Sequence, residues 1–252
     1  MRHFTPGYGR LDLCLPFCQG TTVAPTPRRL TPRQDLEVAL RVLPLGASIT
    51  FGSKSTDGNG YRKALRDAMR YAGHPVNMVG SQVNGNMRDR HNEGWPGKTV
   101  REVHDKVRPQ YRLRPNDCTR PDEPLTAPGR MQAMVEDIFN NVPDVAIILS
   151  GLMPNSINGL CTKLLNNAYG QIVDRLAARG RKIVFADLYN GYMTLHDIPD
   201  GTHPNDDGYR KMAAVWWHAF TQASGNGWIT IPSANGLPDG TTTAVCDKKP
   251  VW

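Results

Sequence analysis

The sequence predicts an α/β protein built on a parallel sheet covered by helices on both faces. Short apolar runs alternate with amphipathic segments between residues 40 and 220. Strands separated by helices run parallel, and a parallel sheet buries both of its faces. The runs Asp144-Val-Ala-Ile-Ile-Leu-Ser150 and Arg181-Lys-Ile-Val-Phe-Ala-Asp187 are nearly continuous in apolar residues, as strands buried on both sides require. The 252 residues, 39% hydrophobic and 21% charged, suffice for one domain. A chain of this length buries roughly 70–75% of its unfolded surface and needs no metal or disulfide to hold a core.

Residues 1–39 read as an irregular leader, because Pro6, Pro16, Pro25, Pro27 and Pro32 forbid a long helix. Leu40-Arg-Val-Leu-Pro-Leu-Gly46 reads as a buried strand ending in a turn. Tyr61 to Tyr71 places Leu65, Ala68, Met69 and Ala72 at helical spacing. Val76 to Gly80 is a short strand. Thr99 opens a helix, with Glu102 three residues on completing a capping box. Met131–Asn140 and Leu160–Arg179 are helical, the second stopped by Gly180. Asp207 to Phe220 is amphipathic through Met212, Ala213, Trp216 and Trp217. The predicted domain therefore spans 40–220. Residues 221–252, rich in Gly, Ser, Pro and Thr, read as a tail or linker.

Composition excludes several classes. Mean hydropathy is −0.46, and no apolar run approaches the roughly 20 residues that span a bilayer. Thirty Lys+Arg against 23 Asp+Glu give a net charge of +7. That charge is scattered, with small knots at Arg108, Arg112, Arg114 and at Arg179, Arg181, Lys182. No nucleic-acid motif accompanies them, so the charge reads as solvated surface. Five cysteines, at 14, 18, 118, 161 and 246, fit no zinc spacing. A Cys118–Cys161 disulfide is one pairing open to a secreted chain. The first twenty residues contain no signal-peptide core, being broken by Asp12 and Pro16.

Three segments carry chemistry. Gly46-Ala-Ser-Ile-Thr50 follows the first strand, where parallel sheets gather binding groups. Taken alone it is an ordinary turn. In Asp200-Gly-Thr-His203, an Asp three residues before a His sets a carboxylate against the imidazole. Such a carboxylate fixes the tautomer and stabilises the imidazolium formed on proton transfer. Asn92-Glu-Gly-Trp-Pro-Gly-Lys-Thr99 fails as a phosphate loop, since Asn92 stands where glycine is required and no apolar strand precedes it. Its Gly97 amide is better suited to an oxyanion.

GASIT at 46–50, GSQ at 80–82, NEGWPG at 92–97 and DGTHPNDDGY at 200–209 together resemble the SGNH (GDSL-like) hydrolases. The likeness is to their carbohydrate-esterase members, which include acetylxylan esterases. The resemblance implies a flavodoxin-like three-layer α/β/α sandwich and a secreted serine esterase without metal or organic cofactor. It assigns Ser48 as nucleophile, His203 as base and Asp200 as its orienter. The oxyanion donors would be the Ser48 amide, the Gly97 amide and an Asn side chain. Ala47 replaces the usual Asp of the first motif. Trp95 and Tyr61 are candidates to stack on sugar. The implied substrate is acylated polysaccharide of the plant cell wall or another acylated small molecule, with no membrane or nucleic-acid partner, and the expected state is a monomer.

One motif departs from the pattern. The family's third motif is a buried strand ending in Gly-x-Asn-Asp, yet Tyr111-Arg-Leu-Arg-Pro-Asn-Asp-Cys-Thr-Arg120 contains no apolar strand. Pro115-Asn116 joins Asp117-Cys118 as if about nine residues, a strand and its turn, had been removed. Asn116 is the remnant available as third oxyanion donor. The lost strand would be the central one, beside the nucleophile strand. A catalytically impaired relic with at most sugar binding is therefore the alternative reading. A lipid-directed esterase or thioesterase is a second, disfavoured by the lack of an apolar lid segment.

Overall fold

In the computed structural model, the described residues are 38–111, 126–156 and 159–233. Asn116, Cys118, the expected leader up to residue 37 and the end of the expected tail lie outside them. The first strand is broken in two, β1 (Leu40–Val42) and β2 (Leu45–Gly46). β1 pairs in parallel with β3 (Val76–Met78), Leu40 lying opposite Val76. Pro44 has no N–H to extend that ladder. Its carbonyl instead accepts from the Glu93 amide at 2.7 Å. β2 then pairs in parallel with β5 (His91–Gly94), Gly46 opposite Gly94. β4 (Gln82–Val83) runs antiparallel to β5.

β6 (Ile147–Ser150) and β7 (Ile183–Ala186) pair in parallel over their full length. Alternation along them sends residues to opposite layers. Leu149 and Ile183 pack with Val135, Tyr169, Ile172 and Leu176 from α4 (Ala127–Asn141) and α5 (Gly159–Ala177). Val184 and Ala186 pack with Ala219 and Ala223 from α6 (Asp206–Gly225). Helices thus cover both faces of a parallel sheet, the α/β/α arrangement expected. The largest cluster lies where α2 (Tyr61–Tyr71) and α6 meet β1 and β3, around Leu65, Met69, Met78, Tyr209 and Phe220. α6 runs past Phe220 to Gly225, and Trp228 and Ile229 pack onto its cluster.

Among the described residues, no ladder joins β1 to β6: the parallel pairs are β1–β3, β2–β5 and β6–β7. β3 is buried throughout, whereas only Leu149 is fully buried in β6. The sheet has not closed by direct pairing of the nucleophile strand with β6. Among the described residues it stands as separate segments.

A buried arginine organises the loops before the site. Arg62 is fully buried and donates to the carbonyls of Phe51, Gly58, Asn84 and Arg90. Burial pushes its guanidinium below its usual pKa. Its shape matters more than its charge, because one planar fork satisfies acceptors from separate turns. Arg62→Met should cost about 1–3 kcal/mol, since the Asn84 carbonyl loses its donor while those of Phe51, Gly58 and Arg90 keep one from the Asn84 or Asn92 side chain. For a domain of this size, that lowers Tm by roughly 2–12 °C in thermal unfolding.

α3 (Val100–Tyr111) begins at the predicted capping box: the Thr99 amide donates to Glu102 at 3.0 Å, and the Glu102 amide faces the Thr99 hydroxyl at 3.4 Å. It is tied to α4 by the buried pair His104–Asp137 at 2.8 Å. The second basic knot is spent on neighbours: Arg179 lies near Glu136, Lys182 near Asp144, and Arg181 over the Phe139 ring. Cys161 carries a free thiol. Among the described residues, no helix is long and apolar enough to cross a membrane, and no cluster of potential metal ligands occurs.

Candidate active site

Ser48 is the first residue of α1 (Ser48–Phe51), a single helical turn placed directly after β2. β5 lies alongside, and the two backbones approach closely: a Cβ on Gly94 would stand 2.3 Å from the Phe51 amide nitrogen. Only glycine at 94 lets α1 seat against the strand. The Ser48 hydroxyl faces His203 Nε2 at 3.0 Å. His203 Nδ1 faces Asp200 Oδ2 at 2.9 Å. Asp200 Oδ1 accepts from the backbone amides of His203 at 2.6 Å and Thr202 at 2.9 Å.

The His203 amide, its imidazole and the Thr202 amide all donate to Asp200 and hold its carboxyl well below the usual carboxylate range. The carboxylate therefore stays ionised through neutral and mildly acidic pH. With Nδ1–H donated to Asp200, Nε2 is left as the acceptor facing Ser48. Asp197 lies close in sequence but is spent elsewhere. It caps the 3-10 turn Leu195–Asp197 through Thr194 and pairs with Lys211 at 2.8 Å.

α6 anchors the catalytic loop behind His203. Asn205 caps α6 by accepting from the Gly208 amide, and its own amide donates to the Asp197 carbonyl. Asp206 accepts from both the amide and hydroxyl of Thr56, and the Tyr209 hydroxyl donates to the Ser53 carbonyl at 2.7 Å. These contacts lock the loop after α1 to the helix after His203, so Ser48 and His203 share one frame. The DGTHPNDDGY segment thus supplies both chemistry and anchoring.

A tight turn follows β5. The Trp95 amide donates to the Gly46 carbonyl at 2.9 Å, and the Lys98 amide to the Trp95 carbonyl at 3.1 Å. Pro96 and Gly97 occupy the central positions, Gly97 with φ +74°, the pattern of a type II turn. Since Gly46 lies opposite Gly94, this turn leaves the sheet at the same carboxyl end as Ser48. Gly97 is exposed and nothing crowds its α-carbon.

One sequence expectation needs correction. Tyr61 is not available to stack on sugar: it is 4% exposed, with its ring stacked on Trp216 at 5.6 Å and its hydroxyl 3.4 Å from Thr50. It is a core residue, and burial raises its phenol pKa. Residues 91–94, polar in sequence, form the strand β5, with Asn92 and Glu93 fully buried. Hydrogen bonds rather than apolar packing hold it, so hydrophobic periodicity had no signal to give there. Trp95 is half-buried at the turn.

A serine, a histidine and an aspartate aligned at the carboxyl end of an α/β sheet mark the domain as that of a hydrolase. Residues 45–211 match the GDSL-like lipase/acylhydrolase family, and the chain belongs to that family of carboxylic-ester hydrolases. A family 3 carbohydrate esterase from Clostridium thermocellum superposes with TM-score 0.60 at 22% identity, covering 75% of this chain and 98% of that one. A carbohydrate esterase family 3 structure from Talaromyces cellulolyticus superposes with TM-score 0.58 at 20% identity, covering 74% and 99%. A multidomain esterase from Ruminococcus flavefaciens is 23% identical over 220 residues, which take in 70% of this chain and 28% of that protein. The chain therefore spans little more than a quarter of that relative's length.

Proposed function

We propose that this chain is a serine esterase that removes O-acetyl groups from cell-wall carbohydrate through an acyl-Ser48 intermediate. The observation that supports it best is the unbroken relay from the Ser48 hydroxyl through His203 to Asp200, at 3.0 and 2.9 Å. Ser48 Oγ attacks the ester carbonyl while His203 Nε2 takes its proton. The tetrahedral oxyanion is met by the amides of Ser48 and Gly97. His203 then protonates the departing sugar oxygen as its bond to the acyl carbon breaks, releasing the sugar hydroxyl. Water, deprotonated by His203, attacks the acyl-serine and releases acetate, and the proton returns to Ser48. Asp200 remains ionised throughout and stabilises the imidazolium. The carbohydrate substrate class draws support from the names of the family 3 esterases, and Trp95 remains the candidate for sugar contact.

The test is release of acetate from acetylated xylan, compared with an aryl acetate and with long-chain acyl esters. Preference for the acetylated polymer is expected; preference for long acyl chains would turn the reading to a lipid-directed enzyme. Asp200→Asn should lower turnover by roughly 10⁴-fold with the fold intact, because the amide favours the wrong tautomer. Near-normal turnover in that variant would remove Asp200 from the relay.

The alternative of an impaired relic draws support from a separate observation, the missing ladder between β1 and β6. A folded chain that neither hydrolyses acetyl esters nor reacts with a serine-directed fluorophosphonate would establish it.

A further inference from the structure

The polar strand β5 holds a carboxylate that the relay does not use. Glu93 is fully buried, and burying a carboxylate costs several kcal/mol unless its oxygens are hydrogen-bonded. Both oxygens are engaged, each by a different loop at the carboxyl end of the sheet. Oε1 accepts from the Ser81 amide at 2.5 Å, and Oε2 accepts from the Trp95 indole N–H at 2.9 Å. The Ser81 approach depends on the glycine before it. Gly80 has φ +145°, and a Cβ there would lie 2.2 Å from the Asn92 carbonyl oxygen. With both oxygens spent inside the protein, Glu93 has no role as an acid or base toward substrate.

Trp95 is held at several points. Its amide bonds the Gly46 carbonyl on the nucleophile strand, and its carbonyl accepts from Lys98 to close the turn. Its indole N–H is fixed by Glu93, and Lys106 from α3 lies 5.3 Å from the ring centroid. Gly97 sits inside that closed turn, with a positive φ that only the turn imposes. The bond from the indole to Glu93 is thus one of the contacts made by the residue that opens the turn containing Gly97.

Resting on the reading of Ser48 and Gly97 given above, we propose that Glu93 is a positioning residue that, through the Trp95 indole, fixes the Gly97 amide as an oxyanion donor. A buried carboxylate suits this task because a charge-assisted bond to a single N–H is short and directional. An oxyanion donor works only within about 2.7–3.1 Å of the developing charge. Displacement by about 1 Å costs on the order of 10²-fold in rate.

The experiment compares Glu93→Gln, Trp95→Phe and the double variant with the parent chain and with Ser48→Ala. The first readout is the rate of reaction with a fluorophosphonate, with kcat and KM on an aryl acetate alongside. The second is hydrogen exchange at the Lys98 amide. Glu93→Gln can keep only one of the two acceptor bonds, and Trp95→Phe keeps the ring but loses the N–H. Each single variant should slow fluorophosphonate reaction and kcat by roughly 10–100-fold with KM little changed. The double variant should be no worse than the poorer single one, because Glu93 and Trp95 act on the turn through the one contact between them. Lys98 exchange should quicken while exchange in β6 and β7 stays as in the parent, which separates local release from general destabilisation. Unchanged kcat, additive losses, or Lys98 exchange unaltered in both variants would overturn the proposal. Persistent labelling in Ser48→Ala would instead sink the assignment of the nucleophile, and Lys98 exchange would still decide whether Glu93 holds the turn.

Discussion

Ser48→Ala, His203→Ala and the double variant should all fall to the same floor, roughly 10⁴–10⁶-fold below the parent in kcat on an aryl acetate. The equality of the three losses is the diagnostic part. Ser48 and His203 share one proton across a 3.0 Å contact, so removing either ends general-base activation completely. A residue pair acting independently would give a double variant worse by the product of the two losses. The residual rate should remain above that of water alone, because the amides of the oxyanion turn are main-chain groups that neither substitution deletes. Initial rates measured on all four proteins at one pH decide this. Additive losses would mean that His203 acts on substrate without Ser48, and a fully active Ser48→Ala would end the serine-esterase reading.

Inserting a short apolar strand ending in Gly-x-Asn after Asn116 should raise both stability and turnover. The structure gives the reason for the first. β1 spends one edge on β3 and β6 spends one edge on β7, and no ladder between them is present among the described residues. Unsatisfied backbone groups cost about 1–3 kcal/mol each where they are buried. A margin of roughly 5–15 kcal/mol is small against several of them. A strand between β1 and β6 would pair both edges, and its terminal Asn would supply a rigid side-chain donor. Loss of one oxyanion donor typically lowers turnover by 10²–10³-fold, so restoration should raise kcat by about that factor. Denaturant unfolding should show a larger midpoint and a larger slope, as more surface becomes buried. Equal kcat in the two proteins would show that a third donor is dispensable or already present.

Much of the site was legible in the sequence because catalytic chemistry constrains short segments. A serine in a tight turn after a strand, and an Asp-x-x-His just before a capped helix, are local patterns. The three-residue spacing lets the Asp200 carboxylate reach the His203 imidazole, which it contacts at 2.9 Å. The apolar runs at β6 and β7 and the stripes of α2, α4, α5 and α6 were readable because burial on a regular element imposes a period. Even the helix start at Thr99 was written locally, in a capping box.

What tertiary structure alone decided lies where polar groups are buried or where a partner is distant in sequence. Nothing in His91-Asn-Glu-Gly94 suggests a strand, because its stabilisation comes from hydrogen bonds to β2, β4 and the Ser81 turn. The jog at Pro44, which transfers the chain from β3 to β5, depends on the Glu93 amide, 49 positions away, which donates to the Pro44 carbonyl. Arg62 reads as one charged residue on an amphipathic helix until four carbonyls from separate turns converge on it. Tyr61 reads as an available aromatic until Trp216 closes over it. Local sequence fixes which residues carry chemistry, because reactive groups must be of a given type. Which of them are buried, and which are held within bonding distance of one another, is set by contacts between segments far apart in the chain, and those leave no period in the sequence.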